Sequence, residues 1–273
     1  IQIPAFRWRA GMVTIMTSAR MLNVPAFGKM DWKKGLLSML DLTQTFSLMR
    51  WSPMVLFPPV ATFSIDTLWH VAVPLLAAIS AIVAAAGALI DTDFKRIIAY
   101  STISQIGFIF FGLAIGNSVG FAGGLLYILM HGLAKAGLFL CAGIVEQKTH
   151  TKDITKLGGL IKTMPLTAAS FLFCAVSVMG IPPFGGFFSK YLVFMGGVQS
   201  GHMLMTSLLL VCAFLTIIYL FRLYKMIFLG EMKIEAKENF GVMVFSVMLL
   251  AALSLAGGIF VSYPMRFIEA IVK

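Results

Sequence analysis

The chain has 273 residues, 59% of them hydrophobic and 12% charged, where an ordinary soluble domain carries about 25% charged residues, and its mean hydropathy is +0.94. This excludes a soluble globular domain and indicates an integral membrane protein of the all-α class, organised in spans of roughly 20 apolar residues. The formal net charge of +10 does not point to nucleic acid, because the cations gather in alternate loops between the spans.

Residues 1–69 form a basic N-terminal segment. It holds seven of the 21 Lys and Arg residues and no acid before Asp31. Such a start fits the remains of a mitochondrial targeting sequence and also a short basic segment on a membrane surface. Within it, residues 35–59 are hydrophobic but interrupted by Asp41, Arg50 and the pair Pro58-Pro59. That pattern suits an interfacial helix followed by extended chain. A crossing here would make a seventh span and put the basic N-terminus inside, so hydropathy and charge pull in opposite directions.

The membrane domain covers residues 70–262, with six spans predicted at about 71–91, 97–116, 120–145, 167–195, 203–228 and 241–262. Lys95 and Arg96 follow the first, Lys148, Lys152, Lys156 and Lys162 follow the third, and Arg222, Lys225, Lys233 and Lys237 lie at or beyond the end of the fifth. The loops at 116–120 and 197–202 carry no Lys or Arg. By the positive-inside rule the basic loops face the cytoplasm or a mitochondrial matrix, and the C-terminal tail, residues 263–273 with Arg266 and Lys273, lies outside.

The second span opens on the polar run Tyr100-Ser-Thr-Ile-Ser-Gln105. Ser101 and Ser104 suit two roles, interhelical hydrogen bonding, worth around 0.6 kcal/mol per bond in a bilayer, and the lining of a water chain. Lys95, just before, is either a loop charge or the inner mouth of a path.

In the third span, Tyr127, His131 and Lys135 recur every four residues and so share one helix face. Facing lipid, this stripe would strand three polar groups in hydrocarbon, so it must face other helices or water. A snorkelling Lys135 is the alternative. It would have to cover ten residues to the end of the span, roughly 15 Å, beyond the comfortable reach of the side chain.

The fourth span contains Gly180-Ile-Pro-Pro-Phe-Gly-Gly186. Pro182 and Pro183 remove two backbone donors, while Gly180, Gly185 and Gly186 add freedom, so the helix should break near mid-membrane. Such breaks persist in a bilayer only inside protein or beside a water-filled cavity. Lys190 then sits in the second half-helix, next to Ser189. In the third, fourth and fifth spans Cys141, Cys174 and Cys212 occur singly, as apolar packing residues rather than metal or redox ligands.

Burial disfavours the charged form of an amine and a nearby carboxylate restores it, so a lysine in a span can carry a proton. None of the six spans has an acid in its interior. A carboxylate that switches Lys135 or Lys190 from within the bilayer is therefore expected from another chain.

Over about residues 70–260 the segments Asp93–Gly107, His131–Gly143, Asp153–Gly159 and Gly180–Lys190 resemble the antiporter-like proton-translocating subunits shared by respiratory complex I, membrane-bound hydrogenases and Mrp-type cation/proton antiporters. The resemblance implies one five-helix repeat with a discontinuous helix, plus one extra helix, corresponding to the C-terminal half of such a subunit. It implies that Lys135 is the central channel lysine, that Lys190 on the broken helix leads to the outer side, that His131 bridges between polar groups, and that Lys95 is the basic residue opening the preceding helix. Tyr127 stands where many members carry a further histidine.

By the same resemblance the chain performs no electron transfer and holds no cofactor. Flavin and iron-sulfur clusters belong to partner subunits, and the partners are lipid and other membrane subunits, among them a chain carrying the first repeat. The expected function is proton movement along a buried Lys/His axis in a complex I-like assembly, in a mitochondrial inner or prokaryotic cytoplasmic membrane. A subunit of a Na+/H+ antiporter or membrane hydrogenase is the alternative, and a non-conducting structural subunit is another. Both a split gene and a longer parent chain fit the coverage.

Overall fold

The computed structural model describes Ile65 and residues 68–272. The expectations for residues 1–64, including a crossing at 35–59, fall outside the described residues. The remainder is helical. A π-helical turn, Leu68–Ala72, leads into α1 (Val73–Ile90), followed by α2 (Phe94–Ala114), α3 (Ser118–Thr149), α4 (Pro165–Met179), α5 (Gly185–Gln199), α6 (Met203–Phe228), α7 (Val242–Ile259) and α8 (Ser262–Val272). Among the described residues five helices, α1 with its preceding turn, α2, α3, α6 and α7, are each long and apolar enough to cross a membrane. Helices α4 and α5, each 15 residues, are the two halves of the interrupted fourth span.

Helix starts follow from local chemistry. Asp93 accepts from the Arg96 N–H at 3.0 Å at the start of α2, and Asn117 accepts from the Gly120 N–H at 2.6 Å at the start of α3. These caps satisfy donors that a helix N-terminus leaves unpaired. Helix α4 is capped from far along the chain. The Glu238 carboxylate accepts from Leu166 N–H at 3.1 Å, Thr167 N–H at 2.9 Å and the Thr167 hydroxyl. At a helix C-terminus, Arg222 of α6 donates to the Leu89 carbonyl at the end of α1, where a cation suits the helix dipole.

Helix α3 is the hub, packing against α2, α4, α5, α7 and α8. With 32 residues it is roughly 48 Å long, longer than a hydrocarbon core of about 30 Å. It runs to Thr149 rather than stopping at 145, because Glu146 in the last turn holds Lys95 of α2 and, at 3.3 Å, Lys152. The following loop is tied to the start of α2 by Phe94 N–H to Lys152 O at 2.8 Å and Ile154 N–H to Thr92 O at 3.0 Å. In that loop the N–H and hydroxyl of Thr155 hold the Asp153 carboxyl below the usual carboxylate range.

The C-terminal tail forms the helix α8. Val261, Met265, Ile268 and Val272 recur at helical spacing and pack with Ala122, Leu126 and Met130 of α3. Pro264 falls in the first turn of α8, where its missing N–H costs nothing.

Small residues set the closest approaches, as expected where lipid tails supply no hydrophobic drive between helices. Ala77, Ala81, Ala84, Ala85 and Ala88 of α1 are buried and receive α2 at Gly107, where a Cβ would lie 2.6 Å from the Ala77 carbonyl oxygen and 2.9 Å from the Ala81 Cβ. The end of α7 is closer still. A Cβ on Gly258 would run into the Pro183 carbonyl oxygen and lie 2.6 Å from the Gly185 nitrogen, so α7 rests backbone on backbone against the interruption between α4 and α5.

Gly107→Val is expected to destabilise the fold by about 1–3 kcal/mol through overpacking, read by denaturant unfolding in detergent. Gly132→Ala is the control. A Cβ there meets nothing within 4 Å, and the substitution should be neutral or stabilise by up to about 1 kcal/mol.

Candidate functional site

Helix α4 ends because Gly180 takes φ +81°, a left-handed conformation that glycine adopts without a Cβ penalty. The N–H groups of Gly180 and Ile181 turn back to the Val176 carbonyl at 3.1 and 3.2 Å. Pro182 and Pro183, joined by a cis peptide, have no N–H to offer, and Gly185 opens α5. The last carbonyls of α4 therefore need donors from elsewhere. Lys190, on α5, supplies them. Its Nζ donates to Val178 O at 2.9 Å and Met179 O at 3.3 Å, and its stem lies along Gly180. The same ammonium stands 4.9 Å from the centroid of the Phe108 ring and 5.9 Å from that of Tyr127, within cation–π range.

Tyr127, His131 and Lys135 share one face of α3, and all three are buried. The rings of Tyr127 and His131 meet edge to face at 5.8 Å. Lys135 is 5% exposed; its Nζ donates to Ile98 O at 3.2 Å and to the Ser101 hydroxyl on α2. Fourteen residues, roughly 21 Å, separate it from the end of α3 at Thr149, so it does not snorkel.

Gln105 on α2 joins the two lysine sites. The Tyr127 hydroxyl donates to Gln105 Oε1, and Gln105 Nε2 donates to Thr216 Oγ1 at 3.0 Å and the Tyr219 hydroxyl at 3.4 Å, both on α6. Ser101, the hydroxyl that receives Lys135, lies four residues before Gln105 on the same face of α2. Buried polar groups are thus set out between the two lysines, from Lys190 past the Tyr127 ring to Gln105, and one helical turn back along α2 to Ser101 and Lys135.

Of the residues singled out in the sequence, Lys135, Lys190, Tyr127, His131 and Ser101 come together, and Gly180, Pro182, Pro183 and Gly185 form the break beside them. Ser104 is buried, but neither its hydroxyl nor either ring nitrogen of His131 has a hydrogen-bond partner among the described residues. Lys95 is set apart. Its side chain is 41% exposed and paired with Glu146. Thr216 and Tyr219 are neighbours of the site that sequence reasoning misses; their signal is a polar pair spaced by three in the middle of α6.

Among the described residues no carboxylate lies within 4 Å of Lys135 or Lys190. Each amine is held by neutral groups only: carbonyls, a hydroxyl and aromatic faces. A hydroxyl such as Ser101 accepts from an ammonium and, turned about its C–O bond, donates to a neutral amine. The arrangement can therefore accommodate Lys135 with or without its proton.

Gln105→Leu leaves the polar groups of Tyr127, Thr216 and Tyr219 without their shared partner and should cost about 1–3 kcal/mol. Ser104→Ala removes an unpartnered hydroxyl and should stay within about 0.5 kcal/mol of the parent. Unfolding of the two variants in detergent checks the difference.

Residues 40–216, more than half of the chain, match the family described as NADH:quinone oxidoreductase/Mrp antiporter, transmembrane. The chain is 35% identical over 192 residues to a Na(+)/H(+) antiporter subunit of Alkalihalophilus pseudofirmus, covering 69% of this chain and 39% of that protein. It is 40% identical over 135 residues to an NADH-quinone oxidoreductase subunit of Desulforudis audaxviator, covering 50% of this chain and 27% of the relative. It thus spans well under half the length of these relatives. Among solved structures, a chain of the Mrp complex from Dietzia sp. DQ12-45-1b shares the fold with a TM-score of 0.72 at 23% identity, over 76% of this chain and 47% of that one. A chain of respiratory complex I from Thermus thermophilus with bound NADH gives 0.69 at 25% identity, over 76% and 45%. The interrupted helix and the two buried lysines therefore belong to a multi-pass membrane protein of the NADH:quinone oxidoreductase/Mrp antiporter family.

Proposed function

We propose that this chain is part of a proton-translocating, antiporter-like subunit of a complex I-like respiratory assembly. The observation that carries this reading is a pair of buried lysines, each held by neutral groups, with the polar side chains of Tyr127, Gln105 and Ser101 between them. In this reading Lys135 takes a proton from the inner side, where Lys95 and Glu146 form the charged surface above α2 and α3. Ser101, Tyr219 and Gln105 orient the groups between the lysines. His131 offers both ring nitrogens beside Tyr127, and Lys190 passes the proton outward from the break.

The driving charge comes from neighbouring chains. Carboxylates on partner membrane subunits, one of them carrying the first repeat, switch the lysines between charge states. Flavin and iron-sulfur chemistry lies in further partners, so this chain transfers no electrons.

Lys135→Met in the full assembly, reconstituted in liposomes, should lower proton translocation at least about 100-fold, the scale of a lost positioned proton carrier. Unchanged pumping by the assembled variant would instead mean a structural role. Lys190→Arg separates capping from conduction. Arginine keeps the donors at the α4 terminus but does not release its proton, so assembly should persist while translocation falls.

A second reading, a Na+/H+ antiporter subunit, is favoured by the similarity to the Alkalihalophilus protein named for that activity. Replacing sodium by choline distinguishes the two. Proton movement independent of sodium supports the respiratory reading, and abolition supports the antiporter.

A further inference from the structure

On the face bearing the basic loops, the segment after α6 lies over the loop after α3 and leaves an open groove of about 440 Å³. Its apolar walls are Leu157, Phe221, Met226 and Leu229. They are held by backbone contact. Gly159 N–H donates to Leu229 O at 3.0 Å, and a Cβ on Gly159 would lie 2.7 Å from the Met232 nitrogen. The groove is therefore preformed.

Two cations line it, Lys225 and Lys233, with Glu231 as the single acid in the lining. Lys233 Nζ donates to Thr155 O at 2.8 Å, which fixes its ammonium at the rim. Neither lysine has a carboxylate within 4 Å among the described residues. The lining thus carries a net positive charge.

The groove also continues an apolar track. On α6, Val211, Phe214, Ile218 and Phe221 are all exposed and recur at intervals of three and four, so they form one stripe, and Lys225 follows Phe221 by four more residues. Facing a bilayer, such a stripe would meet acyl chains and lead them toward the basic groove, a combination that suits an anionic headgroup.

We propose that this groove is a binding site for a phospholipid with an anionic headgroup. Its phosphate lies between Lys225 and Lys233, and one acyl chain runs along Phe221, Ile218 and Phe214. A zwitterionic lipid presents the same phosphate but adds a cation to a groove that is already positive.

The test uses the full protein containing this chain, in its native assembly, delipidated in mild detergent and exchanged with an equimolar mixture of phosphatidylglycerol and phosphatidylcholine. Native mass spectrometry should find phosphatidylglycerol retained, and Lys225→Gln and Lys233→Gln should each lower that retention about fivefold. Lys237→Gln, outside the groove, should leave it unchanged, and all three variants should unfold at the parent temperature. Equal retention of phosphatidylcholine, an equal loss in Lys237→Gln, displacement by inorganic phosphate as effective as by lipid, or no retained lipid on a face covered by protein would each overturn the proposal.

Discussion

A bilayer offers no water to backbone amides, so each carbonyl freed within it must find a donor in the protein. The interruption between α4 and α5 meets this demand with the Lys190 ammonium, donated from the far half-helix to Val178 and Met179. The rest of the centre depends on that bond. It draws the start of α5 against the end of α4 and holds a cationic side chain where the α4 carbonyls point. It also puts that cation over the rings of Phe108 and Tyr127, which belong to α2 and α3. A helix that ends inside the membrane thereby becomes a joint among four helices.

The same economy holds along α3. Tyr127 and Lys135 each find a partner on α2, namely Gln105 and Ser101, and α6 joins at Gln105 through Thr216 and Tyr219. Each hydrogen bond here crosses a helix interface, so packing and polar chemistry use the same contacts. That suits an environment in which helices associate through close packing and interhelical hydrogen bonds rather than by hydrophobic exclusion.

What is legible in the sequence divides along physical lines. Hydropathy locates the spans to within a few residues, since burial in lipid acts on every side chain of a helix. Pro182 and Pro183 mark the break because their chemistry is local, and the recurrence of Tyr127, His131 and Lys135 every four residues reveals their common face. Partnerships are not legible. Gln105 meets Thr216 across 111 positions, and nothing in either residue's neighbourhood encodes that meeting. The last turn of α3 beyond 145 is not legible either, because Glu146-Gln-Lys148 reads as a polar loop and its partner, Lys95, comes from another helix. Helix α8 reads as a tail because Arg266 and Glu269 mask the spacing of Val261, Met265, Ile268 and Val272.

The contact at Gly258 has a mechanical meaning. Side chains between two helices act as padding, since their rotamers can shift while the backbones stay in place. Where α7 meets Pro183 and Gly185 there is no padding, and close-packed interiors transmit strain rather than absorb it. Any shift of the broken span must push directly on α7, without slack, so that the last long helix of the chain registers the position of the break as a lever registers its fulcrum.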